Sequence, residues 1–408
     1  MTTLADQPLG TPSESFRLSM LLNDTRYRSL TFQFIALIAI IAFMAFIGGN
    51  LVRNLAEAGL NISYKFLGEP AGYDINQRPI QYDSQSSHGR AAAVGLLNTI
   101  IVAFLACITA TFFGVVAGVL RLSHNWLVAK IMAFYVEIFR NVPVLIWILI
   151  IFSVMINTLP APRNFRGDDA TATMAFDAFA FTNRGVFTPK PIFGDGSGIL
   201  IAIFIASIIG IFVYRRYARN LLYDTGRLLP TFWPSIAIFI LPSLLFYFIL
   251  GQPVSLEYPE LKGFNFRGGI QLRGSLIALW FALAIYTGAF IAENVRAGIL
   301  AISKGQTEAA GALGLRPNRI MSLVVLPQAL RVIIPPLISN YLNITKNSSL
   351  AIAVGYMDVT GTLGGITLLQ TGRAIETILL LMLFYLTISL LISFFMNIFN
   401  NRMKLKER

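Results

Sequence analysis

Long uncharged apolar runs, separated by short stretches where charge collects, set the layout of this chain. Residues 29–52 carry no charge. They predict a first spanning helix, because about 20 apolar residues cross the ~30 Å hydrocarbon core of a bilayer. Residues 91–120 predict a second span ending at Arg121. Along it Gly95, Ala103, Ala106, Ala110, Gly114 and Gly118 recur at three- to four-residue steps, a spacing that lets helices approach closely in lipid. A third span is predicted over residues 141–162, with Pro143 at its entrance. A fourth covers 199–214, and a fifth covers 228–250, where Pro230, Pro234 and Pro242 are expected to kink it. Residues 274–291, 332–356 and 377–401 complete eight spans.

Charge is unevenly shared among the segments between them. Residues 53–90 and 161–198 each hold four basic and four acidic side chains. Arg215, Arg216, Arg219 and Arg227 stand against only Asp224, and Arg402, Lys404, Lys406 and Arg408 against only Glu407. Lys and Arg gather on the cytoplasmic side of membrane proteins. Eight spans place both termini there, and every loop then obeys the rule. The chain is expected to divide into a flexible polar tail (1–28), an extra span with an outer loop (29–90) and the first part of a core (91–159). An insertion (160–273) and the second part of the core (274–408) follow.

Composition agrees: 55% hydrophobic, 13% charged and mean hydropathy +0.67 mark an integral membrane protein. The formal charge of +12 does not point to nucleic acid, since no soluble basic domain carries it. Cys107 is the single cysteine and His88 and His124 the only histidines. No internal disulfide, metal site or catalytic constellation is therefore expected. No GxxxxGK[ST] occurs to cradle a nucleotide's phosphates, so any ATP and magnesium must sit on a partner. The polar stretch ahead of a full-length first span does not read as a cleavable signal peptide.

Residues 302–327, ISKGQTEAAGALGLRPNRIMSLVVLP, predict helix, turn, helix. Gly314 suits the left-handed helix stop and Pro317 a first helical turn. Glu308 is expected near a helix N-terminus, where negative charge is favourable. Ala309, Ala310, Gly311 and Ala312 give a slim profile, and Arg316, Arg319 and Arg331 a basic rim. This stretch resembles the EAA signature of ABC-importer permeases, carried by Glu308, Ala309, Ala310, Gly314, Leu326 and Pro327, with Val324 where Ile is usual. The resemblance implies that these residues, with Gly305, dock into an ATP-hydrolysing subunit under the membrane.

Residues 135–143, YVEIFRNVP, are similar to a segment of the polar-amino-acid permeases, and the longer layout resembles the general L-amino-acid permease subfamily. The implied fold is an all-α polytopic membrane protein of the type I importer class, with a cytoplasmic EAA coupling helix. The implied function is an ATP-driven, binding-protein-dependent importer of polar, acidic or neutral L-amino acids in the bacterial inner membrane. Implied partners are ABC ATPase subunits, a related second permease forming a heterodimer, and a periplasmic amino-acid-binding protein.

Residues 332–356 predict a broken helix, interrupted by Pro335–Pro336 and by Asn347-Ser348-Ser349, with Ser348 or Ser349 capping a half-helix that faces an anion. Lys346 to Leu350 also resembles the permeases' KDTSL segment. The expected substrate path is therefore Thr345, Lys346, Asn347, Ser348 and Ser349, and Asn347 in place of Asp argues against cationic cargo. Glu293 joins this path or forms an i,i+3 pair with Arg296; Glu137 and Arg140 share that spacing. The alternative is an ion-coupled secondary transporter, distinguished by dependence on an ion gradient; no channel filter is legible.

Overall fold

The computed structural model describes residues 25–403 apart from 58, 60, 168 and 169. The tail (1–24) and the last basic residues (404–408) lie outside the described residues. Two compact units divide at Lys65. The first is chiefly α1 (Thr25–Glu57), whose apolar side chains, Phe32, Ile38, Phe43 and Phe46 among them, are exposed. A helix that is apolar all round suits lipid.

The second unit holds α2 (His88–Leu120), α3 (Trp126–Asn141), α4 (Val144–Thr158), α5 (Ser197–Thr225), α6 (Phe232–Ile249) and α7 (Gly274–Leu300). Then come α8 (Lys304–Ala312), α9 (Pro317–Val354), the short α10 (Leu368–Thr371) and α11 (Ala374–Met403). Among the described residues seven helices are long and apolar enough to cross a membrane, and eight if α3 and α4, bent by 106°, form one span.

That bend has a local cause. A residue before proline is pushed to extended backbone, and Val142 sits at φ −110°, ψ 133°. Helix α3 therefore stops at Asn141, and α4 restarts behind Pro143. The third span expected over residues 141–162 is thus shorter and is joined to α3 at a sharp corner. The fourth is longer than expected. Nothing stops α5 until Gly226, which caps it at φ +68°, so Arg215, Arg216 and Arg219 lie on helix rather than in a loop. Arg is a good helix former. Pro242 lies inside α6 without ending it, whereas Pro230 precedes the helix.

The core forms where α2 and α7 pack side by side. Trp280 Nε1 donates to Thr109 Oγ1 at 3.0 Å. A Cβ on Gly114 would lie 2.9 Å from Gly288 O, and one on Gly118 2.7 Å from Ala292 O. Rising numbers pair with rising numbers, so the two helices run parallel. Buried Val102, Ala106, Leu279, Leu283 and Ile291 fill the space around this seam, with Ile148 of α4 and Ile344 of α9.

Short strands gather at the end where α2 and α7 begin, a feature the all-helical reading did not foresee. β1 (Ala180–Thr182), β2 (Gly185–Thr188) and β7 (Ile270–Arg273) form one antiparallel sheet; β3 (Lys190–Phe193) pairs with β4 (Val254–Glu257), and β5 (Glu260–Lys262) with β6 (Asn265–Arg267). Gly185 at φ +124° leaves no space for a Cβ against Leu272 O. Phe187 and Phe266, 5.1 Å apart, anchor a small core with Phe165, Met174 and Leu261. Pairing of β2 with β7 ties an early part of the predicted insertion to its last residues, directly before α7.

Candidate functional site

The chain leaves α7 at Leu300 and enters α8 four residues later. Helix α8 ends because Gly314 takes φ +76°. Leu315 N–H donates to Ala310 O at 3.3 Å and Gly314 N–H to Gly311 O at 2.9 Å, the paired bonds of a Schellman stop. Pro317 then opens α9 with Arg316 as its cap, as the sequence predicts. Gln328 Nε2 braces the two arms, donating to Gln306 Oε1 at 3.2 Å and to Val324 O at 2.9 Å. Leu326 and Pro327 follow a wide π turn, Met321–Val325, that carries the chain into the long part of α9.

Within this hairpin Ala310 is buried, while Gly305, Glu308, Ala309, Gly311 and Ala312 are exposed. Leu313 is 82% exposed. Two expectations change. Glu308 is the fifth residue of α8, beyond the first turn, where the helix dipole has little hold on it. Arg316 and Arg319 are exposed, but Arg331 is half-buried on α9, with its Nε and Nη2 atoms enclosed and unpaired among the described residues.

At the same end of the bundle lies a charge network that sequence reasoning saw only in part. Glu293 of α7 binds Arg296 at 2.6 Å, the expected i,i+3 pair. It also binds Arg121, the residue that closes α2. Arg121 reaches Glu137 of α3 at 3.8 Å. Glu137 therefore bonds across helices instead of pairing with Arg140, which lies 5.2 Å over the Phe290 ring. The pairs on Glu293 are half-buried, and the one that adds α3 ends on an exposed Glu137; together they join α2, α3 and α7 where α7 hands over to α8.

The predicted broken helix needs a correction. No half-helix begins at Ser348 or Ser349: α-helix runs through Pro335–Pro336 to Asn347 and continues as 3-10 turns to Val354. Ser348 N–H already donates to Ile344 O and Lys346 O, so it offers no free N–H to an anion. The hydroxyls of Ser348 and Ser349 donate backwards to Thr345 O and Lys346 O, each at 2.8 Å. Serine and asparagine cost a helix only a few tenths of a kcal/mol, too little to stop one. The true stop is Gly355 at φ +68°. Thr345 and Ser348 are fully buried, Asn347 and Ser349 are half-buried, and Lys346 is exposed.

Sequence reasoning missed Asp358. Its carboxylate is fully buried, accepting from Gly361 N–H at 2.9 Å and from the Tyr385 hydroxyl of α11 at 3.2 Å. Ser348 Oγ lies 3.5 Å away. Nearby, Tyr356 donates to Asn98 O at 3.1 Å and Val359 N–H to Thr99 Oγ1 at 3.1 Å, both on α2. A buried carboxylate needs such donors; those on Asp358 link it to α9 and α11, and the bonds from Tyr356 and Val359 tie the same segment to α2. The only sequence signal was an acid in an otherwise uncharged stretch, residues 347–372.

The sequence profile of binding-protein-dependent transport system inner membrane components matches residues 198–405. The chain is 49% identical to the glutamate/glutamine/aspartate/asparagine transport system permease protein BztB of Rhodobacter capsulatus, over 99% of this chain and 100% of that one. It is 42% identical to the general L-amino acid transport system permease protein AapQ of Rhizobium johnstonii, over 98% of each. The glutamate/aspartate import permease protein GltJ of Escherichia coli is 28% identical, over 55% of this chain and 95% of that one.

Proposed function

The chain belongs to the family of binding-protein-dependent transport system inner membrane components, and we propose that it is the membrane subunit through which an ATP-driven importer passes polar L-amino acids, acidic or neutral. The names of its long relatives, which span its whole length, support that cargo class. Both termini and the α8 hairpin lie on the cytoplasmic side, with the strands outside. ATP and magnesium are held by separate ATPase subunits, and a related second permease and a soluble binding protein complete the assembly.

The observation that carries the reading is the free face of α8. Glu308, Ala309, Gly311 and Ala312 lie open, with Leu313 projecting beside them. A slim surface with one apolar projection fits a groove on another protein, where a buried apolar anchor supplies most of the binding energy. Movement of that groove reaches α7 through three linking residues. Because Glu293 holds Arg121, it is delivered to α2 and α3 as well. Thr345, Lys346, Asn347, Ser348 and Ser349 remain the candidate path, now as side chains on a continuous helix.

Glu308→Lys in the assembled complex tests this reading. ATP-coupled uptake is expected to fall at least a hundredfold, while the amount and thermal stability of the permease in membranes stay the same. Uptake within twofold of the parent would remove α8 as the coupling element.

A further inference from the structure

At the strand end of the second unit, an open cleft of about 930 Å³ separates two parts of the chain far apart in sequence. One wall is the segment from Arg78 to Arg90 that leads into α2; Lys190 of β3 and Ile270 of β7 belong to the other. Helices α2 and α7 both start here and run parallel, so the cleft opens at the end of the bundle opposite Glu308. Apart from Ile270, the named groups fall outside residues 198–405, the part that matches the family profile.

We propose that this cleft is the docking surface for an acidic rim of the soluble binding protein. The inference rests on the permease reading given above. Its first support is charge. Arg78, Arg90 and Lys190 converge against one carboxylate, Asp83. Among the described residues Arg90 and Lys190 join no ion pair, and Arg78 shares only an exposed one with Asp74 at 3.5 Å. Asp83 is occupied: Ser86 Oγ donates to its carboxylate at 2.8 Å. That bond first, then the backbone N–H groups of Ser86 and Gln85 and last the charge of Arg90, hold the carboxyl below the usual carboxylate range.

The second support is preorganisation. Arg78 Nη1 donates to Tyr82 O at 3.0 Å, and Arg90 Nε donates to Gln81 O at 2.6 Å. Tyr82 is itself buried and donates to Tyr73 O at 2.8 Å. Tyr73, Ile75 and Tyr82 pack on Ala91 and Val94 of α2. Both guanidinium groups are thus aimed before a partner arrives, which lowers the ordering cost of binding.

The third support is the kind of occupant the walls admit. A site for a free amino acid buries most of its ligand. Here Arg78, Ile80, Asp83, Arg90, Lys190 and Ile270 are all exposed. Exposed Arg beside exposed Ile, in a broad cleft, is the mixture a protein interface uses. Complementary charge then speeds encounter and fixes orientation.

Lys190→Glu is the decisive variant, because Lys190 is exposed and has no ion-pair partner among the described residues. ATP hydrolysis by the reconstituted full complex is titrated with binding protein at low and at moderate salt. Half-maximal stimulation should need at least tenfold more binding protein than the parent. The maximal rate and the unstimulated rate should not change, and the salt dependence should flatten. Lys190→Gln should fall between the two. A half-maximal concentration within twofold of the parent would overturn the docking surface, while the permease reading would still stand or fall on Glu308→Lys. A raised need for free amino acid at saturating binding protein, with docking intact, would reassign the cleft to cargo and equally overturn the proposal.

Discussion

The α2–α7 seam and the α8 hairpin are both rich in small residues, recurring at helical steps on the seam and consecutive on α8, yet their surroundings are opposite. On the seam every Cβ-sized space is taken. A side chain on Gly114 would meet Ile291 and Gly288 O, and one on Gly118 would meet Ala292 O and Val295. On α8, a Cβ added at Gly311 would meet nothing within 4 Å, and one at Gly305 only Ser303 Oγ at 3.5 Å. Smallness on the seam is used up inside the molecule, where it lets two helices close without a gap. Smallness on α8 is left unfilled and exposed beside Leu313, which folding alone does not account for. Small residues on a helix therefore carry two meanings, and only the neighbours separate them.

That contrast can be broken most severely at the seam. Gly114→Val should prevent α2 and α7 from meeting. Overpacking a filled interior costs about 1–3 kcal/mol and at times more, and here backbone is in the way. The expected result is little folded protein, measured by yield and monodispersity after membrane extraction. Gly311→Val should do the reverse. Valine is a slightly better helix former than glycine and has open space here, so yield and thermal stability should match the parent. Uptake should nevertheless fall at least tenfold, because the added bulk stands on the face offered to the motor subunit. Unchanged uptake in Gly311→Val would leave the open face of α8 without a role.

How much of this was legible depends on the range of each signal. The stop at Gly314 and restart at Pro317 could be read directly, because each rests on one residue's backbone geometry. Pro143 gave the entrance of α4, but not the 106° corner, which depends on α3 already being helical up to Asn141. Residues 215–225 were misread as loop, since charge suggested water while Arg and Leu still favour helix. The strands were missed because three or four residues are too few for alternation to stand out, and the β2–β7 pairing joins residues more than 80 positions apart. Arg121 and Glu293 are 172 positions apart, so their union is a product of the fold. Asp358 was passed over for the same reason: Ser348 and Tyr385 reach its carboxylate only after α9 and α11 pack. Ser348 and Ser349 were overread, because a residue that can cap a helix need not end one.

Those serines extend the comparison to a third stretch of small residues and ask whether size or chemistry is used there. Ser348 is buried like the seam glycines, while Ser349 is half-buried and nearer to the open condition of α8. Replacing both with alanine keeps the volume close and removes both hydroxyls. Each loses one back-bond to a carbonyl, and Ser348 also leaves the side of the Asp358 carboxylate. A single hydrogen bond is worth about 0.5–1.5 kcal/mol, and both carbonyls belong to a helix that continues past them, so the fold should survive with a small fall in thermal stability. Copurification of the ATPase subunits should be unaffected, because α8 is untouched. Uptake should drop by a factor of about three to ten, with the loss in the apparent affinity for amino acid if the hydroxyls line the path. A loss of ATPase copurification instead would mean that this part of α9 acts through the hairpin, and would merge two regions that the structure keeps separate.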